Sequence, residues 1–284
     1  MLDIRQKLKD NSVLIENALY QYMNSSQSHS SVLADAQAYS LLGGGKRIRA
    51  FLVMKTAELL GADTQEAALP YACAIEMIHA SSLIHDDMPC MDNDEMRRGK
   101  PSTHVAFGET AALLSGDALM MKAFVTVTGN PHLKPEINAM AAHVLAEASG
   151  EDGMLGGQAI DTLSESKVSS LDELVKLHQF KTGKLIIASA TLGCYAAQRI
   201  DNNDDNVKAA ITYADRVGLA FQIVDDILDY KEGKKEDNSF LSFMTIEEAE
   251  KYVNQLTEEA IEAVEQFDDG SLSHLARYLT NRDH

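Results

Sequence analysis

No tryptophan occurs in this chain of 284 residues, and it has only 5 prolines and 3 cysteines. Cys73, Cys90 and Cys194 are too scattered for a disulfide framework or a zinc knuckle, which argues against a cross-linked secreted scaffold and for a reducing compartment. They read as small core residues. Cations are scarce as well: 25 Lys and Arg stand against 43 Asp and Glu, a net charge of -18. So acidic a chain excludes nucleic acid or an anionic membrane held through a broad basic surface, and any phosphate-bearing ligand must be gripped by local cations. Long apolar runs are missing too. The longest near-apolar stretch, 185–197, falls short of the ~20 residues a spanning helix needs, and the opening MLDIRQKLKD lacks the apolar segment of a signal peptide. The expectation is a cytoplasmic protein with no membrane span.

What the chain does contain favours helices. It is rich in Ala, Leu, Met, Glu and Lys, and period-2 alternation is nearly absent, so the predicted fold class is all-α. Apolar residues recur at helical spacing over 46–60, 66–88, 107–127, 135–149, 171–197, 206–230 and 246–266, with short polar breaks between. Ser170 with Glu173 and Thr245 with Glu248 spell capping boxes. No linker or repeat interrupts the chain, which predicts one domain over 1–284, large enough to bury its own core. Residues 185–197 and 211–228 are apolar around most of a helix, so these helices should be central. A polar group among them is expensive unless it binds something.

Two acidic clusters meet that description. His85-Asp86-Asp87-Met88-Pro89-Cys90-Met91-Asp92 closes an apolar helix, and Pro89 disfavours a helical Met88, so Asp92 should return from a broken turn toward Asp86 and Asp87. Asp225-Asp226-Ile227-Leu228-Asp229 needs no break, because Asp225 and Asp229 lie ~40° apart on a helix, with Asp226 within ~100° of Asp225. A solvated helix end would explain one such pair. Two pairs of the same form, each closing an apolar helix, point instead to hard cations, and oxygen-only ligation suits Mg²⁺ better than zinc or iron.

Paired carboxylates with magnesium imply phosphate, and cations placed to hold phosphate are present. Gly43-Gly44-Gly45-Lys46-Arg47-Ile48-Arg49 reads as a flexible turn opening a helix, with Lys46 and Arg49 on one face beside free N–H groups. It is not a P-loop, because Arg47 stands where Ser or Thr should follow and no strand precedes it. Arg97 and Arg98 can fork onto two phosphate groups. Lys181-Thr182-Gly183-Lys184 interrupts a long apolar helix, where a lone ammonium would be costly.

Taken together, GGGKRIR, DDMPCMD, RRGKPSTH, GGQAID, KTGKLI and FQIVDDILD resemble, in order and over nearly the whole chain, the motifs of the trans-prenyl diphosphate synthases, short-chain type. The resemblance implies an isoprenoid-synthase helical bundle around a deep central cavity. It also implies a Mg-dependent prenyltransferase that condenses isopentenyl diphosphate with dimethylallyl, geranyl or farnesyl diphosphate. By that likeness Asp86, Asp87, Asp92, Asp225, Asp226 and Asp229 would hold three Mg²⁺ on the allylic diphosphate. Arg97, Lys181 and a lysine after the second cluster, Lys234 or Lys235, would complete that site. Lys46, Arg49, His79 and Arg98 would take the diphosphate of isopentenyl diphosphate, with Phe221 and Gln222 lining the space near its prenyl unit. Gln158 and Asp161 would support the metal region, and the Lys181 carbonyl and Thr182 hydroxyl would steady a carbocation. The set expected to act directly in the chemistry is Asp86, Asp87, Arg97, Lys181, Thr182 and Asp225. The likeness also suggests a homodimer.

Two positions depart from the family pattern. The loop after Asp229 is short, and Asp237 occupies the place of a later lysine. Ser81 and Ser82, in the helix before Asp86, occupy positions where a bulky residue would stop the growing chain. Two small side chains therefore favour geranylgeranyl over farnesyl diphosphate as product. Terpene cyclases share the first motif, but their second metal motif mixes Asn, Ser and Glu. Noncatalytic prenyl-synthase subunits lose one aspartate cluster, and both clusters are intact here.

Overall fold

Strong helix formers with few breakers between them produce a chain about 76% helical with almost no sheet, so the all-α expectation holds. The computed structural model describes residues 3–24, 29–62, 65–163, 168–201, 203–233 and 238–281. By internal contact these form two compact units, residues 1–54 with 64–142 and residues 55–63 with 143–284.

The first unit contains α1 (Ile4–Asn24), α2 (Ser31–Leu41), the start of α3 (Ile48–Leu59), α4 (Leu69–Asp86), the strands β1 (Met96–Arg97) and β2 (Lys100–Pro101), α5 (Thr103–Phe107), α6 (Glu109–Thr128) and the start of α7 (Pro135–Ser149). α4 is its hub, packed along α6 and against α1 and α2. Tyr71, Ile75, Met77, Ile78 and Ile84 on α4 are fully buried. Polar groups inside are chained together. Tyr71 Oη donates to Asn138 Oδ1 at 2.7 Å, Asn138 Nδ2 to the Asn130 carbonyl at 2.8 Å, and Asn130 Nδ2 to the Ala67 carbonyl at 2.9 Å. Breaking one link would strand a buried polar group, at a cost of about 1–3 kcal/mol.

α6 packs close on α4 at Gly116, which faces His85: a Cβ there would collide with the imidazole. The His85 Nε2 lies 3.2 Å from the Leu113 carbonyl and 3.5 Å from Asp117 Oδ1. By length and composition alone α6 is apolar enough to cross a membrane, beyond what the 185–197 stretch led us to expect. Its inner face, with Ala112, Leu119, Ala123 and Val127, is buried in the unit's core.

The second unit holds the ends of α3 and α7 together with α8 (Met154–Leu163), α9 (Leu171–His178), α10 (Lys184–Ala196), α11 (Asp205–Lys231), α12 (Ile246–Val264) and α13 (Ser271–Thr280). α11 runs 27 residues and packs against α10, α12 and α13. Leu174, Ile223, Val224, Ile227, Phe240, Val253 and Leu256 form its apolar core. The capping box at Thr245 and Glu248 is complete, with both reciprocal bonds made. At Ser170 only half of it forms: the serine accepts from Glu173 N, while Glu173 Oε2 takes the Ser169 N–H and hydroxyl instead.

Candidate active site

α4 ends at Asp86, and the chain then folds back on itself. With Pro89 blocking continuation of the helix, Met91 N donates to the Met88 carbonyl at 2.9 Å and Asp92 N to the Asp86 carbonyl at 2.9 Å. The expected broken turn is present, and it returns Asp92 to Asp86. Asp86 is half-buried and Asp92 exposed, whereas Asp87 is only 2% exposed. Asp87 faces Arg97, whose Nε lies 2.9 and 3.2 Å from the two carboxylate oxygens while Nη2 also bonds Oδ1. That hydrogen bond, with the neighbouring carboxylate charges, raises the Arg97 pKa above its ordinary value despite burial.

A two-residue hairpin loop sets the neighbouring arginine. Met96 pairs with Pro101 and Arg97 with Lys100, so Arg98 and Gly99 form the turn, and both take positive φ, 53° and 74°. This is the type I′ geometry that suits the twist of a hairpin. Arg97 is thereby sent to Asp87, and Arg98 to the glycine loop, where its Nη1 donates to the Gly44 carbonyl. A Cβ at Gly45 would sit 3.1 Å from the Arg98 Cζ, so the loop passes close under the guanidinium.

The charges of four arginines reach His79. Burial first, then the charges of Arg49, Arg98, Arg47 and Arg97, push its pKa well below the ordinary value, so the imidazole is neutral. Burial lowers the pKa of Arg49 and of Arg98, and their charges oppose those of neighbouring arginines. The Arg49 Nε is buried without a hydrogen-bond partner. Cations that crowd one another in this way leave a positive potential suited to a multiply charged anion. Lys46 and Arg49 do not share a helical face as their spacing suggested. Arg47 takes a left-handed φ of 49°, so α3 begins only at Ile48, leaving Lys46 exposed ahead of it and Arg49 half-buried in its first turn.

In the second unit, the interruption read at Lys181-Thr182-Gly183-Lys184 is a π-helical turn over Gln179–Gly183 between α9 and α10. Lys181 Nζ binds Asp161 Oδ2 at 2.5 Å, and Asn238 Nδ2 donates to Asp161 Oδ1 at 2.7 Å. Burial alone would raise the Asp161 pKa, but these two partners bring it below the ordinary value. Gly157 of α8 packs against this turn, and a Cβ there would strike the Lys181 backbone. Close by, His178 stacks on Phe240 with ring centroids 5.1 Å apart. Burial pushes its pKa down to about 4. The Phe240 N–H in turn donates to Asp226 Oδ2 at 2.6 Å, and Asp226 is 2% exposed.

Arg97 clasps Asp87 at the end of α4, and Lys181 in the π-turn pairs with Asp161. A profile of the polyprenyl synthetase family matches residues 30–261. The chain belongs to the polyprenyl synthetase family. The farnesyl diphosphate synthase of Haemophilus influenzae is 46% identical over 205 residues, covering 72% of this chain and 68% of that protein. The geranylgeranyl diphosphate synthase of Cyanophora paradoxa is 39% identical over 265 residues, 88% of this chain and 87% of that protein. Among solved structures, an apo FPP/GFPP synthase from Zymomonas mobilis is 38% identical, covers 98% of each chain and superposes with a TM-score of 0.88. As a member of this family the chain is a prenyltransferase, and the expected head-to-tail prenyl transfer to short-chain products is borne out.

The remaining expected residues of this polyprenyl synthetase are placed as follows. Asp225 and Asp229 are half-buried on α11, as are Phe221 and Gln222, while Gln158 is buried on α8 and Thr182 half-buried in the π-turn. Ser81 is fully buried on α4 with its hydroxyl unbonded, and half-buried Ser82 donates its own to the His79 carbonyl at 3.0 Å. Lys234 and Lys235 lie outside the described residues. Among the described residues, no three His, Cys, Asp or Glu side chains are grouped as a ready-made metal site. Magnesium therefore fits by the chemistry of its donors, hard carboxylate oxygens at two helix ends, rather than by a preformed cage. Sequence reasoning missed Asn238, His178 and Arg47. Only His178 left a trace, as the residue just ahead of the interrupted helix.

Proposed function

We propose that this enzyme condenses isopentenyl diphosphate with dimethylallyl, geranyl or farnesyl diphosphate to an all-trans short-chain product, with geranylgeranyl diphosphate favoured over farnesyl diphosphate. The observation that carries the reading is the hairpin that fastens Arg97 to Asp87, among the carboxylates that close α4, and sends Arg98 to the glycine-rich loop ahead of Arg49. Relatives of both product types are similar to the chain, and the small residues Ser81 and Ser82 favour the longer product.

In this reading Lys46, Arg49, His79 and Arg98 hold the diphosphate of isopentenyl diphosphate. Arg97 and Lys181 leave Asp87 and Asp161 to bind the allylic diphosphate as its C–O bond breaks. Three Mg²⁺, when bound by Asp86, Asp87 and Asp92 with Asp225, Asp226 and Asp229, would neutralise that leaving group. The Lys181 carbonyl and the Thr182 hydroxyl, both in the π-turn, are dipoles that can steady an allylic cation. Gln158 and Asp161 support the metal region, with Asp161 bonded to Lys181; Phe221 and Gln222 line the prenyl space, and the departing diphosphate takes the proton. Leu114, Met121 and Val125 on the outer face of α6 are exposed and apolar, which supports a homodimer formed through that helix. The cysteine usage favours the cytoplasm.

Incubating the protein with labelled isopentenyl diphosphate and each allylic primer, with Mg²⁺ or with a chelator, tests this. Label should enter a C15 or C20 prenyl diphosphate only when the metal is present. No incorporation from any primer would refute the reading.

A further inference from the structure

Arg47 has no part in the chemistry above, yet its backbone and its side chain are both tightly held. Its φ of 49° lies in the left-handed region that disfavours a side chain, and its own is 2% exposed. A guanidinium is buried only where charge and hydrogen bonds compensate it. Here Nη1 donates to Glu76 Oε2 at 3.1 Å and Nη2 to the Leu41 carbonyl at 2.5 Å, with Glu16 Oε1 3.6 Å from Nη2. Glu76 is 3% exposed, and its other oxygen accepts the Ala50 N–H at 3.2 Å. That amide is one of those an α-helix leaves without an internal partner in its first turn. A single carboxylate thus fastens both the residue before α3 and the first turn of α3.

The same carboxylate sits on α4 three residues before His79, on the adjoining helical position. Lys46 precedes the left-handed residue and points to solvent, while Arg49 follows it and lies half-buried. Were Arg47 free to adopt a helical or extended backbone, the two cations would leave the chain in different directions.

We propose that Arg47 and Glu76 are positioning residues, a buried ion pair that sets the aim of Lys46 and Arg49 toward the anion held beside His79. Calling that anion the diphosphate of isopentenyl diphosphate rests on the function proposed above; the positioning role does not.

Arg47→Lys keeps the charge but cannot fork, and Glu76→Gln keeps one acceptor without the charge. Calorimetric titration of the full chain with inorganic pyrophosphate, free of metal, should show binding about tenfold weaker in each variant, a loss of one good charged contact. Arg49→Gln gives the loss expected when the cradle itself is damaged. In turnover, the KM for isopentenyl diphosphate should rise by the same factor, while kcat and the KM for the allylic diphosphate stay within about twofold. If either single variant does not fold, the double variant Arg47→Gln with Glu76→Gln leaves no lone buried charge and should fold, still binding pyrophosphate weakly. Unchanged pyrophosphate binding in the folded variants would overturn the proposal, as would an equal rise in both KM values. A chain that binds pyrophosphate but incorporates no isopentenyl unit would refute the proposed function and leave the positioning role standing.

Discussion

Arg97 holds both oxygens of Asp87 with its Nε, at 2.9 and 3.2 Å, although the two residues stand ten apart in the chain. A carboxylate expected at the metal and a guanidinium expected at the diphosphate therefore satisfy each other. Asp87 is 2% exposed, so removing its partner leaves a buried charge uncompensated. Arg97→Ala should cost about 2 kcal/mol in urea unfolding, below the 3–5 kcal/mol of a wholly buried pair because Arg97 is about a third exposed. Adding Asp87→Asn in the same chain should recover part of that loss, and a double-mutant cycle measures the coupling.

Gly157 lets α8 lie against the backbone of Lys181. Gly157→Ala should force the helix and the π-turn apart, destabilising the protein by about 1–3 kcal/mol. Turnover should fall further than stability implies, because the Lys181 carbonyl and Thr182 hydroxyl move with the turn. Comparing denaturant midpoints with initial rates at a temperature where the variant is fully folded separates the two effects.

His178 supplies a pH dependence. Burial holds its folded pKa near 4, against about 6.5 when exposed. The unfolded chain therefore binds the proton more readily. The stability this neutral ring contributes is complete above pH ~6.5 and is lost as the pH falls toward 4, by at most about 3 kcal/mol. Replacing the ring with a group that does not titrate, as in His178→Gln, should flatten the decline in melting temperature between pH 7 and pH 5. An identical slope in both proteins would remove His178 as its source.

Ser81 is fully buried, and its hydroxyl has no hydrogen-bond partner. Ser81→Tyr should shorten the prenyl product, read by chromatography of the dephosphorylated alcohols, and overpacking should cost about 1–3 kcal/mol. An unchanged product distribution would remove this residue from the control of chain length.

Helical periodicity located α4, α7, α11 and α12 to within about three residues of their ends, because long apolar stripes leave little ambiguity. It passed over α1, α2, α8 and α13, which are short or bury only a few side chains against neighbours that sequence does not reveal. Asp92 returning to Asp86 was legible because proline forbids the alternative. The Arg97–Lys100 hairpin was not, since strands of two residues carry no alternation to detect. Nor was the left-handed backbone at Arg47, a conformation seldom taken by a residue with a side chain and visible only through φ. Pairings such as Lys181 with Asp161 or Phe240 N–H with Asp226 join distant stretches, and only tertiary packing decides them.

The tight turn at Arg98 and Gly99 gives one uncharged position leverage over two cations. A methyl group at Gly99 would meet no atom within 4 Å, yet its φ of 74° belongs to a backbone that alanine resists. Relaxing that single torsion would swing Arg97 away from Asp87 and Arg98 away from Gly44 together. One change that alters no charge would thus undo two contacts at once, the guanidinium clasp on Asp87 and the tether on the glycine loop.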